Sequence, residues 1–192
     1  NNKVPSSKRI NYLKFLYFST IIVALSFFYI FTSIITSLAD AKNASNSTEI
    51  DTLLETADVL LNQKKYEEAI KYFDKILTIN ASEIDALNHK GLALWELQKY
   101  NEALQHFDRI LAIDSSNLKA LNNKGLALLG LQKNEEAIQY FDKLLTMNTS
   151  DIYALINKGG ALLGLQKNEE AIQYFNQVLS MNSSDVYAIN NK

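Results

Sequence analysis

Two kinds of hydrophobic pattern divide the chain. From 15 to 39 it reads FLYFSTIIVALSFFYIFTSIITSLA, apolar on every side and without a charged residue. Beyond 49 the apolar residues recur three or four positions apart, the spacing of a helix that buries one stripe. Leu87, Gly91 and Leu94 make one such stripe, and Ala103, Phe107 and Ile110 make another after a short polar break. The first pattern predicts one membrane-spanning helix and the second predicts paired amphipathic helices. The one proline, Pro5, precedes both, so no residue lacking an N–H interrupts either. The chain is therefore expected to be all-α.

The second pattern repeats. It restarts at Ile50, Ile84, Leu118 and Ile152 in steps of 34 residues, and Val186 opens a further incomplete copy. Residues 127–141 and 161–175 both read ALLGLQKNEEAIQYF, which points to duplication. Small and large residues recur in columns: Ala57, Gly91, Gly125, Gly159; Leu60, Leu94, Leu128, Leu162; Ala69, Ala103, Ala137, Ala171; and Phe73, Phe107, Phe141, Phe175. A Gly or Ala inside the stripe lets a partner helix approach closely, and the Phe fills the space beside it. Such a hairpin cannot bury its apolar faces alone, so neighbours must stack to complete the core.

Over 50–192 the chain resembles the tetratricopeptide-repeat family, with copies expected at 50–83, 84–117, 118–151 and 152–185 and the start of a fifth at 186–192. The resemblance implies a right-handed α-solenoid of helical hairpins with the first helix of each copy on the concave surface. In two places the chain departs from the family. Ala81, Ser115, Thr149 and Ser183 stand where a proline is usual, and Ser82, Ser116, Ser150 and Ser184 follow them, where a hydroxyl is expected to cap the next helix. Thr56, Lys90, Lys124 and Lys158 replace the large apolar residue before the small column; the lysines are expected to run their stems along the stack with the charge in water.

The 15–39 run would be roughly 37 Å long at about 1.5 Å per residue, enough to cross a hydrocarbon core of about 30 Å with tilt. Its hydroxyls, such as Ser19, Thr20, Ser26 and Thr32, can bond back to helix carbonyls. Lys3, Lys8, Arg9 and Lys14 precede it and only Lys42 lies close behind, which predicts a cytoplasmic amino terminus over 1–14 and repeats on the outside. The alternative is secretion after cleavage near Ala39-Asp40-Ala41, but a signal-peptide core runs only about 7–15 residues. A buried core helix is the remaining alternative. The stretch 40–49, small and polar, reads as a flexible tether. The chain opens at Asn1 instead of Met and stops at Lys192 inside a pattern, as expected of a processed or partial chain.

Composition narrows the chemistry. The 192 residues hold 19 Lys and Arg against 21 Asp and Glu, net −2, so no basic excess suggests nucleic acid. There is no cysteine, which excludes disulfides, thiolate catalysis and Cys-ligated metals. His89 and His106 lie far apart without a carboxylate at metal-ligand spacing, and no nucleophile-elbow, phosphate-loop or zinc-protease motif occurs. Neither metal, cofactor nor enzymatic activity is expected. Glu67-Glu68, Glu135-Glu136 and Glu169-Glu170 open the second helices, where carboxylates favour the helix dipole. Asn43 and Asn46 are candidate glycosylation sites, whereas the sequons at Asn80, Asn148 and Asn182 sit in inter-repeat turns that favour Asn for local reasons.

The function expected is that of a membrane-anchored scaffold binding a protein or peptide on its concave face; a self-associating structural protein is the alternative, and an enzyme with its catalytic part beyond the termini the third reading. Apolar residues in excess of one packing stripe, Leu92 and Trp95, Leu126 and Leu129, Ile156 and Leu163, together with Asn88, Asn122, Tyr153 and Tyr187, are expected to form the inner wall. The competing reading is that the apolar members wedge adjacent repeats together. Some members of the family clamp acidic carboxy-terminal tails with two lysines, two asparagines and an arginine. In each of three registers this chain matches at most one of those positions, through Lys119, Asn123 or Asn157.

Overall fold

The computed structural model describes residues 6–192, with side chains described for all of these but 6–10, 12 and 13. Lys3 of the basic lead lies outside the described residues, as do the side chains of Lys8 and Arg9. Among the described residues all regular structure is helical: α1 (Ser6–Asn62), α2 (Tyr66–Ile79), α3 (Ile84–Glu96), α4 (Tyr100–Ile113), α5 (Leu118–Gly130), α6 (Asn134–Met147), α7 (Ile152–Gly164), α8 (Asn168–Met181) and α9 (Val186–Asn191). The chain divides into two compact units, Asn1–Glu49 and Ile50–Lys192.

The first unit is the amino-terminal part of α1. Ser19, Thr20, Ser26, Thr32 and Thr36 each donate to a carbonyl three or four residues back, at 2.8–2.9 Å, so their hydroxyls are satisfied within the helix. Phe15, Phe27, Tyr29 and Phe31 are exposed. The expected tether at 40–49 is corrected: those residues are helical. No Gly or Pro breaks the stretch, Ala39, Ala41 and Ala44 favour helix, and Thr48 bonds back to the Ala44 carbonyl.

In the second unit each first helix packs against the second helix that follows it, and each second helix against the next first helix. The core is one column per residue type. Phe73, Phe107, Phe141 and Phe175 are fully buried, and in the last three copies the ring lies directly over the glycine of the first helix. Another small column, Ala86, Ala120, Ala154 and Ala188, is buried and closes each core from the next copy: Ala86 joins the cluster around Phe73, and Ala120 the one around Phe107. Stacking is therefore built into the hairpin.

Turns are set by local chemistry. Lys64, Gln98, Gln132 and Gln166 stand at φ 58–59°, the left-handed region usually left to glycine, and end the first helices. Between copies the expected serine caps are corrected. Ser82, Ser116, Ser150 and Ser184 instead donate their backbone N–H to the side-chain oxygen of Asn80, Asp114, Asn148 and Asn182 at 3.0–3.2 Å. The cap is one residue later, where Asn117, Asp151 and Asp185 accept from the N–H three residues on. At the positions where the family has proline, cations reach over from the next second helix: Arg109 donates to the Ala81 carbonyl and Lys143 to that of Ser115.

The lysines before the small column are likewise corrected. Lys90 meets Asp74 at 2.5 Å, and Lys124 and Lys158 pair with Asp108 and Asp142. The last two also lie over the rings of Tyr140 and Tyr174. Burial works against their charge, but the bonds to aspartate and tyrosine outweigh it, so both titrate above the ordinary lysine range. A partly buried ammonium needs a partner, and the preceding second helix supplies one.

Candidate partner-binding face

Consecutive first helices touch, α3 with α5, α5 with α7 and α7 with α9, whereas consecutive second helices make no comparable contact. The stack thus curves with its first helices inside. Residues on the inner side of one first helix therefore approach those of the next, and their chemistry can be continuous along the wall.

It is continuous through amides. Asn123 donates to Asn88 at 2.9 Å and Asn157 to Asn122 at 3.1 Å, each bond joining neighbouring copies. Asn122 in turn approaches the Asn123 oxygen at 3.5 Å. Beside this ladder lies an open cavity of about 400 Å³, bounded by Asn88, Leu92, Asn122 and Asn123, with Lys119, Tyr153 and Leu118 at its sides. An asparagine carries two donors and two acceptor lone pairs, so each rung keeps capacity that the ladder leaves unused. An extended peptide backbone presents the complementary N–H and C=O groups.

The expected wall residues separate into two groups. Asn88, Leu92, Asn122 and Tyr153 line the cavity, and Tyr153 and Tyr187 stand out from the wall at 76% and 71% exposure. Trp95, Leu129, Ile156 and Leu163, and in part Leu92, are half-buried against the hairpin cores. Leu126 is half-buried as well. Trp95 packs edge-on to Tyr100 at 6.3 Å, and its indole N–H is out of contact with solvent and finds no acceptor. The inner surface is thus amide and phenol with a limited apolar floor, not one apolar strip. Asn123 and Lys119 are not among the expected wall residues; the 34-residue register, continued from Tyr153, places Lys119 there, whereas no expected wall residue shares the column of Asn123.

The histidines are separately placed. His89, one copy before Asn123, faces Asp58 with Nδ1 3.3 Å from the carboxylate. His106 lies beside Lys90 on the outer side, half-buried, and burial with the charges of Lys90 and Arg109 lowers its pKa to about 4. Among the described residues no three His, Asp or Glu side chains come together as a metal site. Asn43 is exposed and Asn46 half-exposed on α1, whereas Asn80, Asn148 and Asn182 engage their side chains in the inter-repeat turns.

Comparison with known proteins agrees with this architecture. The sequence profile of the tetratricopeptide repeat matches residues 88–152 and 122–186, and that of anaphase-promoting complex, cyclosome, subunit 3 matches 36–110. Among solved structures, MamA (41-end) from Desulfovibrio magneticus RS-1 superposes with a TM-score of 0.68 at 20% identity, over 73% of this chain and 79% of that one. YrrB, described as a TPR protein with an unusual peptide-binding site, gives 0.61 at 23% identity over 72% of each chain. A tetratricopeptide repeat protein from Parabacteroides merdae ATCC 43184 gives 0.67 at 21% identity, over 75% of this chain and 57% of that one. Comparison with curated proteins returns no match.

Proposed function

This chain belongs to the tetratricopeptide repeat family, and on that premise we propose that it is a membrane-anchored scaffold whose repeats hold an extended peptide of another protein. The observation that carries the reading is the amide ladder Asn88, Asn123, Asn122, Asn157 beside an open cavity. Peptide backbone satisfies such a surface rung by rung, while Leu92 and Tyr153 contact alternate side chains. The peptide-binding description of YrrB, a structural neighbour, supports the same assignment. No catalytic role is assigned.

Anchoring rests on α1, which contains a stretch long and apolar enough to span a bilayer, none of it buried within the protein. The span is 15–39, with the amino terminus cytoplasmic by the excess of preceding cations and the repeats, with Asn43 and Asn46, outside. The test reconstitutes the full chain into lipid vesicles and measures peptide capture by the floated protein. Alkaline washing should leave the chain in the membrane, and Asn122→Ala with Asn157→Ala should weaken capture at least tenfold, about 1.4 kcal/mol. Release by alkaline washing would remove the anchor, and unchanged capture would remove the ladder.

A further inference from the structure

The 34-residue register lets the inner wall be read copy by copy. One column runs Asp51, Asp85, Lys119, Tyr153, Tyr187, and a second runs Glu55, His89, Asn123, Asn157, Asn191. Lys119, Asn123 and Tyr153 line the cavity, which fixes both columns as groove-facing. The contact of Asp58 with His89 ties the end of α1 to the same wall. On these two columns acid is confined to the first two copies; Asp151, which also lines the cavity, is engaged in capping α7 through the Ala154 N–H. Asp51, Glu55 and Asp85 are exposed and meet no cation among the described residues, whereas Asp74, Asp108 and Asp142 at the outer side are each paired to a lysine. Beyond Lys119 neither column carries a charge.

A second observation lies at the junction of the acidic and neutral halves. Asn88 is only 8% exposed, its oxygen is taken by Asn123, and its Nδ2 finds no acceptor among the described residues although it borders the cavity. That donor is open to the cavity and to water, so the carbonyl of a bound backbone can take the place of water there.

We propose that the bound segment is an extended peptide with one or two Lys or Arg side chains over Asp51, Glu55 and Asp85. Its backbone passes Asn88, and an uncharged apolar or aromatic residue follows into the cavity beside Leu92 and Tyr153. Lys119 marks the limit of the cationic part by repelling it. Unpaired acids beside a groove speed the encounter and select the charge of the partner. This inference rests on the peptide-binding reading of the same wall.

The test uses the full chain in phosphatidylcholine nanodiscs, so that the lipid adds no net charge, and three fluorescent hexapeptides followed by anisotropy. They share the tail Ser-Phe-Leu-Ser and begin with Lys-Lys, Ser-Ser or Glu-Glu. The Lys-Lys peptide should bind at least tenfold tighter than the Glu-Glu peptide, with a preference that shrinks as salt rises. Asp51→Asn with Asp85→Asn should abolish that preference, and Lys119→Glu should enlarge it; helicity by circular dichroism shows that each variant is folded. A merely structural role for these acids gives no reason for Lys119→Glu to tighten binding. If all three peptides bind alike and still require Asn122, the charge assignment falls while the groove stands. If none binds, the peptide-binding reading falls with it.

Discussion

Gly159 and Gly160 are neighbours in α7, yet alanine should stabilise only at Gly160. Both lie inside a helix, where alanine is favoured over glycine by about 1 kcal/mol. At Gly160 a Cβ would meet nothing within 4 Å, so the full gain is expected. At Gly159 it would stand 2.6 Å from Cε1 and 2.7 Å from Cζ of Phe175. That ring is 1% exposed, so it has nowhere to swing and must displace its surroundings. Overpacking of this kind costs about 1–3 kcal/mol, which cancels or exceeds the helical gain. The difference between the variants, in which the propensity term drops out, should therefore be about 1–3 kcal/mol. Urea unfolding followed by circular dichroism measures it, with equal slopes confirming comparable end states. Ala57 fills the same column in the first copy with Phe73 still buried, which places the penalty in the spacing of α7 and α8 and not in the column itself. Equal stabilisation by both substitutions would refute the packing account of the small column.

Acid should weaken the repeats through His106. Its pKa is lowered from 6.5 to about 4 by burial first and then by Lys90 and Arg109, with Asp74 opposing. The folded state therefore resists a proton that the unfolded chain accepts, and the stability it contributes is complete above about pH 6.5 and lost as pH falls towards 4. His106→Tyr, which copies Tyr72, Tyr140 and Tyr174 in the same column, should flatten the pH dependence of the urea midpoint between pH 7 and 5; a variant as acid-sensitive as the parent would exclude His106 as the cause. Trp95→Ala should lower stability by about 2–3 kcal/mol, below the range for a fully buried tryptophan because the ring is half-buried. Peptide capture by the folded fraction should survive; lost capture with unchanged stability would return Trp95 to the binding wall.

The hairpins were legible because their signal is redundant. A column such as Phe73, Phe107, Phe141 and Phe175 repeats a statement that one copy makes ambiguously. The buried column Ala86, Ala120, Ala154 and Ala188 is as regular, but alanine carries little hydrophobic signal and reads equally as a surface residue. The capping position was missed by one residue because serine and the Asn or Asp after it are both good caps, and only backbone geometry decides between them. Position 83 shows the limit of the pattern, since Glu83 makes no side-chain cap at all. The ion pairs of Lys90, Lys124 and Lys158 join residues 16 apart, beyond any helical spacing, so no periodicity announces them. Trp95 was misleading for a related reason. Its large apolar area suits an interface, but which side of the helix it covers depends on Tyr100 across the turn.

The third and fourth copies are so alike that their differences act as an internal control. Over the first helix they agree at Ala120 and Ala154, Leu121 and Leu155, Lys124 and Lys158, and Gly125 and Gly159, all buried or ion-paired. They differ in charge or size at Lys119 against Tyr153, Asn122 against Ile156, and Leu126 against Gly160. Lys119, Asn122 and Tyr153 line the cavity, and Leu126 and Gly160 continue the column of Leu92, which lines it too. Packing requirements explain the agreements, because a changed volume in a dense core is costly wherever the copy lies. Within the first helix they do not explain why the radical differences gather on one wall; those of the second helix, Asp142 against Asn176 and Lys143 against Gln177, lie at contacts between copies, with Lys158 and the Ser115 carbonyl. A wall that served only to stack identical hairpins would be free to stay identical, as residues 127–141 and 161–175 have. Copies that diverge there give a peptide a different surface at each step, which is what recognising a sequence of unlike side chains requires.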